Sequence, residues 1–493
     1  MLSNSADRTA TASRHARAVV VCLAGGVALV QVLLSARYGY NVDELYYRLL
    51  GNRGFAWGYT DQPPLTPAVV RSSIVLFGDT VVAVRVPAAL CAAAVVVLGA
   101  MITAELGGSP RARVFAALGL STSFLVLSVG HVMVTTTLDV VAWCAVLLFV
   151  VRALVRGDDR WWVAAGAVCG IASYAKYVVL LLPVSLVVAL ALVGPRRMLV
   201  DRRFLAGVAV ALLLGAPNLV YQVVNDFPQL RMAEALGATD GSFNRVIFLP
   251  TLLLVLGPLA AVVCVAGCVR LLRDRAVRAV GVAALVALVL TVVGGGRPDY
   301  VGGVLIGLFA AGCVALDRWS GRGRRIAPLA VAFAGTSALQ VVLALPVLPE
   351  RALSAVPVNN ISTESVGWPE LAEGVTRAYR SLPPGERHRA VVLAHNIGEA
   401  GALDRFGQDL PTVHSGHNEL HSWGPPPEHA DVVVAVGFTD DRLTSDFHRC
   451  DVVDHVDNGV GLDNAEQGMP ITVCRGRSEP WAQSWPAYHY LSG

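Results

Sequence analysis

Lysine is nearly absent from this chain. Of 39 basic residues one is a lysine, Lys176, and the rest are arginine. A GC-rich coding sequence disfavours lysine codons and accounts for the bias, but it makes the surviving lysine worth following. Charge is scarce too. Only 15% of the 493 residues are charged, against about a quarter in soluble domains, which excludes a string of ordinary soluble domains. The net charge of +3 is carried by arginines scattered over many short loops, so no basic patch marks a nucleic-acid partner. There is no internal repeat, and no low-complexity tract beyond Ala/Val-rich stretches. GGGR before Pro298 has neither the preceding strand nor the Lys-Ser/Thr helix start of a phosphate-cradling nucleotide loop.

What is abundant is apolar sequence, 55% of the chain, gathered into runs near 20 residues up to about residue 347. A membrane span needs about 20 predominantly apolar residues. The reading is therefore a mainly α, polytopic transmembrane bundle over 1–349 and a soluble α/β domain over 350–493. Eleven spans are expected, roughly 17–36, 81–104, 112–130, 132–152, 161–175, 177–194, 204–222, 246–270, 277–294, 300–316 and 326–347. The basic N-terminus resembles a signal peptide, but its apolar run lacks a small-x-small cleavage site and reads as the first span. The loops Arg111/Arg113, Arg152/Arg156/Arg160, PRRMLVDRR, RLLRDRAVR and DRWSGRGRR are rich in arginine and lie inside by the positive-inside rule. That places the N-terminus in the cytoplasm, the chain in the cell membrane, and everything after 347 outside. In the C-terminal domain AVVLA, DVVVAVGF and ITVCRG read as strands, EAGALDRF is helix-compatible, and GPPP near residue 424 is a rigid turn.

The loop 37–80 carries the densest chemistry. It begins RYGYNVDELYYR as the first apolar helix ends, presenting Asp43 and Glu44, and continues to Asp61 before Pro63 and Pro64. Ionisable groups at a membrane boundary are costly unless paired and often mark function. Arg48, Arg53 and Arg71 share the loop, Arg85 follows inside the second span, and Tyr46 and Tyr47 stand beside Tyr38, Tyr40, Phe55, Trp57 and Tyr59. One reading is an amphipathic interfacial helix whose carboxylates pair with its own arginines. The other is a carboxylate base beside a basic cluster that grips phosphate, for which arginine's planar fork is suited.

DELYYR followed by GYTDQPPLTP resembles the first extracytoplasmic loop of the C-type glycosyltransferases, the superfamily of protein O-mannosyltransferases and lipid A aminoarabinose transferases (glycosyltransferase family 39-like, actinobacterial type). TTTLD ending at Asp139 resembles its second acidic motif, SYAKYVVLLLP its lysine-tyrosine motif, and APNLVYQVVNDF its P-x-LxWNxxN motif with Tyr221 where tryptophan is usual. NIGEAGALDRFG, SGHNELHSWGPP and NAEQGMPITVCRG resemble tails of actinobacterial members. The resemblance implies transfer of a sugar from a polyprenyl-phosphate carrier to a glycan, lipid or protein acceptor at the outer face, with inversion. It casts Asp43 as general base, with Glu44 and Asp139 beside it as catalytic candidates. Lys176 becomes the ligand of the donor phosphate, and Arg53, Arg71, Arg85 and Arg297 are the arginines that could share that task.

The residues alone also admit other readings. Lys176 suits a snorkelling anchor, and Asp139 a helix-end cap. Intramembrane carboxylates with a lysine also serve transporters or lipid-carrier flippases, although those place charge near the midplane. A third alternative is an envelope sensor whose tail binds glycan. Seven cysteines lie in apolar runs as small hydrophobes. Cys450 and Cys474, alone in the soluble domain and facing an oxidising compartment, are expected to form a disulfide. His414, His417 and His421 lack a nearby cysteine pair, so no zinc site is expected, a divalent metal is left open, and no other cofactor is implied.

Overall fold

The computed structural model describes residues 2–321, 326–355 and 360–492. The bundle runs through α1 (Leu2–Leu34), α2 (Val42–Asn52), α3 (Leu65–Phe77), α4 (Val81–Glu105), α5 (Pro110–Ser121), α6 (Phe124–His131), α7 (Thr135–Arg156), α8 (Arg160–Ala172), α9 (Leu181–Val193), α10 (Arg202–Val224), α11 (Pro228–Thr239), α12 (Gly241–Arg273), α13 (Arg278–Val293), α14 (Gly302–Ser320) and α15 (Ile326–Ala344).

Every expected span falls on helix, but the count of eleven does not hold by length. Among the described residues six helices are long and apolar enough to cross a membrane, and a seventh if α5 and α6, bent by 53°, are one span. The expected spans at 161–175, 177–194, 277–294 and 326–347 coincide with shorter pieces. The 13 residues of α8 reach only about 20 Å at 1.5 Å per residue, short of the ~30 Å hydrocarbon core. Arg322, Arg324 and Arg325 of the last arginine-rich loop lie outside the described residues.

Close packing in the bundle is made by glycine. At the α12–α14 crossing a Cβ on Gly267 would overlap the Leu308 carbonyl, and one on Gly312 the Val263 carbonyl. In an apolar solvent helices associate by such close backbone approach rather than by burial from water. α12 breaks at Gly257 (φ 69°) before Pro258, and Gln340 Nε2 donates to the freed Leu256 carbonyl at 2.6 Å, which re-satisfies the kinked backbone.

The C-terminal domain holds a five-stranded sheet in the order β2-β1-β3-β5-β4: β1 Ala390–Ala394, β2 Val413–Ser415, β3 Val432–Val436, β4 Phe447–His455 and β5 Pro470–Arg477. β1 pairs parallel with β2 and β3, whereas β5 runs antiparallel to β3 and β4. AVVLA and VVVAV are buried along their whole length, as continuous apolar runs in a covered sheet should be. Sequence reading found β1, β3 and β5 but missed β2, three residues long, and β4, whose HRCDVVDH is a charged and largely exposed edge. Cys450 and Cys474 face each other across β4 and β5 with Cα atoms 4.1 Å apart, and are bonded.

This domain sits on the loop 37–80. The helix Ile397–Phe406 lies so close to α2 that a Cβ on Gly401 would meet Leu45 at 2.8 Å. Leu45, Tyr46, Tyr47 and Leu50 share one apolar cluster with Trp368, Leu371 and Leu403. Arg48 adds a polar tie, 2.6 Å from both Asp79 and Asp404.

Candidate active site

The site is organised by the first turn of α2. Asn41 caps the helix, accepting from Asp43 N at 3.1 Å, while Glu44 Oε2 accepts from Asn41 N at 2.9 Å. This reciprocal capping box fixes the turn. Adjacent helix residues point about 100° apart, so the two carboxylates enter different surroundings. Glu44 goes into the protein: its side chain is 0% exposed, 2.8 Å from Arg85, and it also accepts from Met133 N at 2.9 Å. Asp43 stays half-buried. Arg297 and Lys176 lie within electrostatic reach of it, and Tyr47 hydrogen-bonds to it. Burial pushes the Asp43 carboxyl above its ordinary range, opposed by those two cations.

Lys176 caps the 3₁₀ turn Tyr177–Leu180 after α8. Its Nζ donates to Thr136 Oγ1 at 2.9 Å, lies 3.8 Å from Asp299 Oδ2, and stands 4.4 Å from the Tyr300 ring centroid. Arg297 Nε is 3.2 Å from Asp299 Oδ1. Thr136, at the start of α7, donates to Asp299 Oδ2 at 3.3 Å. Thus α2, α7, the turn after α8 and the turn before α14 converge on one carboxylate facing two cations that share a second carboxylate.

The string from Tyr46 to Pro64 supports this geometry. Tyr46 OH donates to Asp61 Oδ1 at 2.9 Å, and Asn418 Nδ2 of the C-terminal domain reaches Asp61 Oδ2 at 3.4 Å. Burial raises the Asp61 carboxyl to about 7. Pro63 and Pro64 are buried, and Leu65 N donates to Tyr174 O at 2.7 Å. That bond docks the loop onto the turn that presents Lys176.

Several residues picked from the sequence have other tasks. Arg85 is not a phosphate ligand: at 1% exposure its guanidinium is occupied by Glu44, Ser35 O, Gly39 O and His131. Glu44, its counter-ion, is fully buried and spent on Arg85 and Met133 N, so the structure places it away from the open site. Asp139 is 2% exposed and lies within electrostatic reach of Lys176 and Asp299, behind the open part of the site. Arg53 and Arg71 are exposed near the far end of α2, about 15 Å from Asp43 by helix rise. Arg53 lies over Trp423, 3.9 Å from the ring centroid, and Arg71 bonds Asn52 at 2.9 Å.

Sequence reasoning missed Asp299, Thr136 and Tyr300. The signal for Asp299 was present, an ionisable group at a membrane boundary two residues after Arg297. The three histidines do not converge. His417 is held between Ile397 N at 3.2 Å and Ser492 Oγ at 2.9 Å, and burial pushes it down to about 4. His421 stacks on Trp485, and His414 meets Gly424 O at 3.4 Å. Among the described residues no group of three His, Cys, Asp or Glu could hold a metal.

Comparison with known proteins bears on the same region. Residues 61–221 match the family described as dolichyl-phosphate-mannose-protein mannosyltransferase. The match includes Asp61, Pro63, Pro64, Asp139 and Lys176 and begins after Asp43. No curated protein matches the chain. The crystal structure of ArnT from Cupriavidus metallidurans in the apo state is similar at a TM-score of 0.63 and 19% identity, covering 92% of this chain and 97% of that one. The same protein bound to undecaprenyl phosphate gives 0.59 and 18%, with coverages of 92% and 97%. The match and the fold agree with the resemblance carried by the first loop: the chain is a polytopic membrane protein with the C-type glycosyltransferase fold.

Proposed function

We propose that this protein transfers a sugar from a polyprenyl-phosphate donor to an acceptor of the cell envelope, at the membrane face opposite the cytoplasm. The observation that carries the reading is the half-buried Asp43 carboxylate facing Lys176 and Arg297. Asp43 removes the proton from the acceptor hydroxyl as its oxygen bonds to the anomeric carbon. The bond from that carbon to the donor phosphate oxygen breaks on the opposite side, and configuration inverts. The phosphodiester leaves as a phosphomonoester and gains negative charge, which Lys176 and Arg297 stabilise as it develops. Asp299 holds those two cations apart and in place until phosphate arrives. The bound undecaprenyl phosphate of the similar ArnT structure supports a donor of this kind, and the arginine-rich loops support the orientation.

The test is incubation of the purified protein with radiolabelled polyprenyl-phosphate sugars and cell-envelope fractions, beside Asp43→Asn. Transfer by the wild type and loss of at least about a hundredfold in the variant are expected. Near-normal transfer by Asp43→Asn, in protein that still accumulates in the membrane, rejects the assignment of the base.

A further inference from the structure

The C-terminal domain reaches into the site as well as covering the loop. Its segment 361–367 lies against the start of α2. Asn41 Nδ2 donates to Ile361 O at 3.3 Å, and a Cβ on Gly39 would stand 2.9 Å from Ser365 O. From the other side Asn464 Nδ2 donates to Thr363 O at 3.1 Å and Val366 O at 3.0 Å, and Trp368 Nε1 to Glu364 O at 3.0 Å. The backbone around Glu364 is therefore fixed from two sides.

Its carboxylate is placed within electrostatic reach of Asp43, Arg297 and Glu466. Glu364 is half-buried, and among the described residues no side chain pairs with it. Holding an unpartnered carboxylate beside a second one is costly. Burial first, then Asp43, raise its carboxyl to about 7. This is the setting of a group whose partner arrives from outside.

We propose that Glu364 binds the acceptor, taking hydrogen bonds from hydroxyls of a neutral, polyhydroxylated molecule while Asp43 takes the proton of the hydroxyl that reacts. The proposal rests on the glycosyltransferase reading and names the acceptor class for it. A carboxylate accepts from hydroxyls strongly and at close range. The donor phosphate is drawn instead to Lys176 and Arg297, carried by the bundle. The paired carboxyls of Asp43 and Glu364 favour a neutral acceptor over an acidic one, whose added negative charge would find no cation free of the donor phosphate.

The experiment uses the full chain in detergent, a radiolabelled polyprenyl-phosphate sugar, and envelope polysaccharide separated by anion exchange into neutral and acidic pools. Release of sugar to water without acceptor gives a donor-only readout. Glu364→Gln is expected to raise the KM for the neutral pool about tenfold. Its donor KM and donor hydrolysis should stay within about twofold, and Glu364→Asp should recover part of the loss. The wild type should use the acidic pool poorly. An unchanged acceptor KM in Glu364→Gln overturns the proposal, as does preference for the acidic pool. Donor hydrolysis that falls in step with transfer also overturns it, because it marks a structural role. Hydrolysis by the wild type without transfer to the neutral pool rejects the acceptor class while sparing the donor reading. A wild type with neither activity, on any donor, rejects the glycosyltransferase reading itself.

Discussion

Asp43 and Glu44 are neighbours in one helical turn, yet they lead to ionic clusters of different construction. Around Glu44 every charge is closed off. Arg85 and Glu44 are 1% and 0% exposed, 2.8 Å apart, and the remaining guanidinium donors meet backbone carbonyls and His131. Around Asp43 the contacts are longer and partly open, with Lys176 3.8 Å and Arg297 3.2 Å from an Asp299 that is itself 28% exposed. A buried pair with all its hydrogen bonds made cannot receive a ligand, so its effect is on folding. A cluster whose two cations are held by longer, partly open contacts is ready for an anion. The lesson is that proximity in sequence assigned both carboxylates to chemistry, while satisfaction of their partners separates them.

The largest effect should come from opening the closed cluster. Glu44→Gln or Arg85→Met leaves one buried charge uncompensated, and breaking such a pair costs about 3–5 kcal/mol. Thermal unfolding in detergent should show a lower Tm, or the variant should fail to accumulate in the membrane. A variant of normal Tm that loses only transfer would erase the contrast and return Glu44 to catalysis. Next comes Asp43→Asn in the open cluster. It should lose at least about a hundredfold in rate, equivalent to about 2.7 kcal/mol of barrier, with Tm unchanged or raised because a half-buried charge is removed.

A smaller effect is expected at Lys176. Lys176→Met should raise the donor KM about tenfold, and Lys176→Arg should restore only part of it, because the guanidinium is broader and flat. Initial rates against donor concentration in one detergent would decide. Unchanged donor dependence and maximal rate in Lys176→Met would make the lysine an anchor and leave Arg297 alone as phosphate ligand.

A different kind of effect, on stability against pH rather than on rate, is expected at Asp61, which belongs to neither cluster. Its folded pKa of about 7 lies above the ~3.9 of an unfolded chain. A raised carboxyl contributes stability that is fully present below the unfolded pKa and lost as pH rises through the folded one. Tm should therefore fall between about pH 4 and pH 7, and Asp61→Asn should flatten that slope. A slope unchanged by the substitution would assign it to Glu364, whose carboxyl also sits near 7.

Some of this is legible in the sequence. Apolar runs and the return of charge near residue 350 mark the bundle and the appended α/β domain, because a bilayer demands long uncharged segments. The continuous AVVLA and DVVVAVGF runs announce buried strands, and the loop string from Asp43 to Pro64 announces where the chemistry lies. These signals are local: each is a composition or a spacing within one stretch of chain. The tertiary structure alone decided the partners. That Arg85 belongs to Glu44, 41 residues away, and that Glu364 comes back to Asp43 from the far domain, depends on packing between segments that share no local pattern. Span length likewise yielded to packing, since short helices such as α8 are held by neighbours rather than by their own reach across the bilayer. Charge becomes function or scaffold according to whether its partners close around it, and that is settled only when the chain is folded.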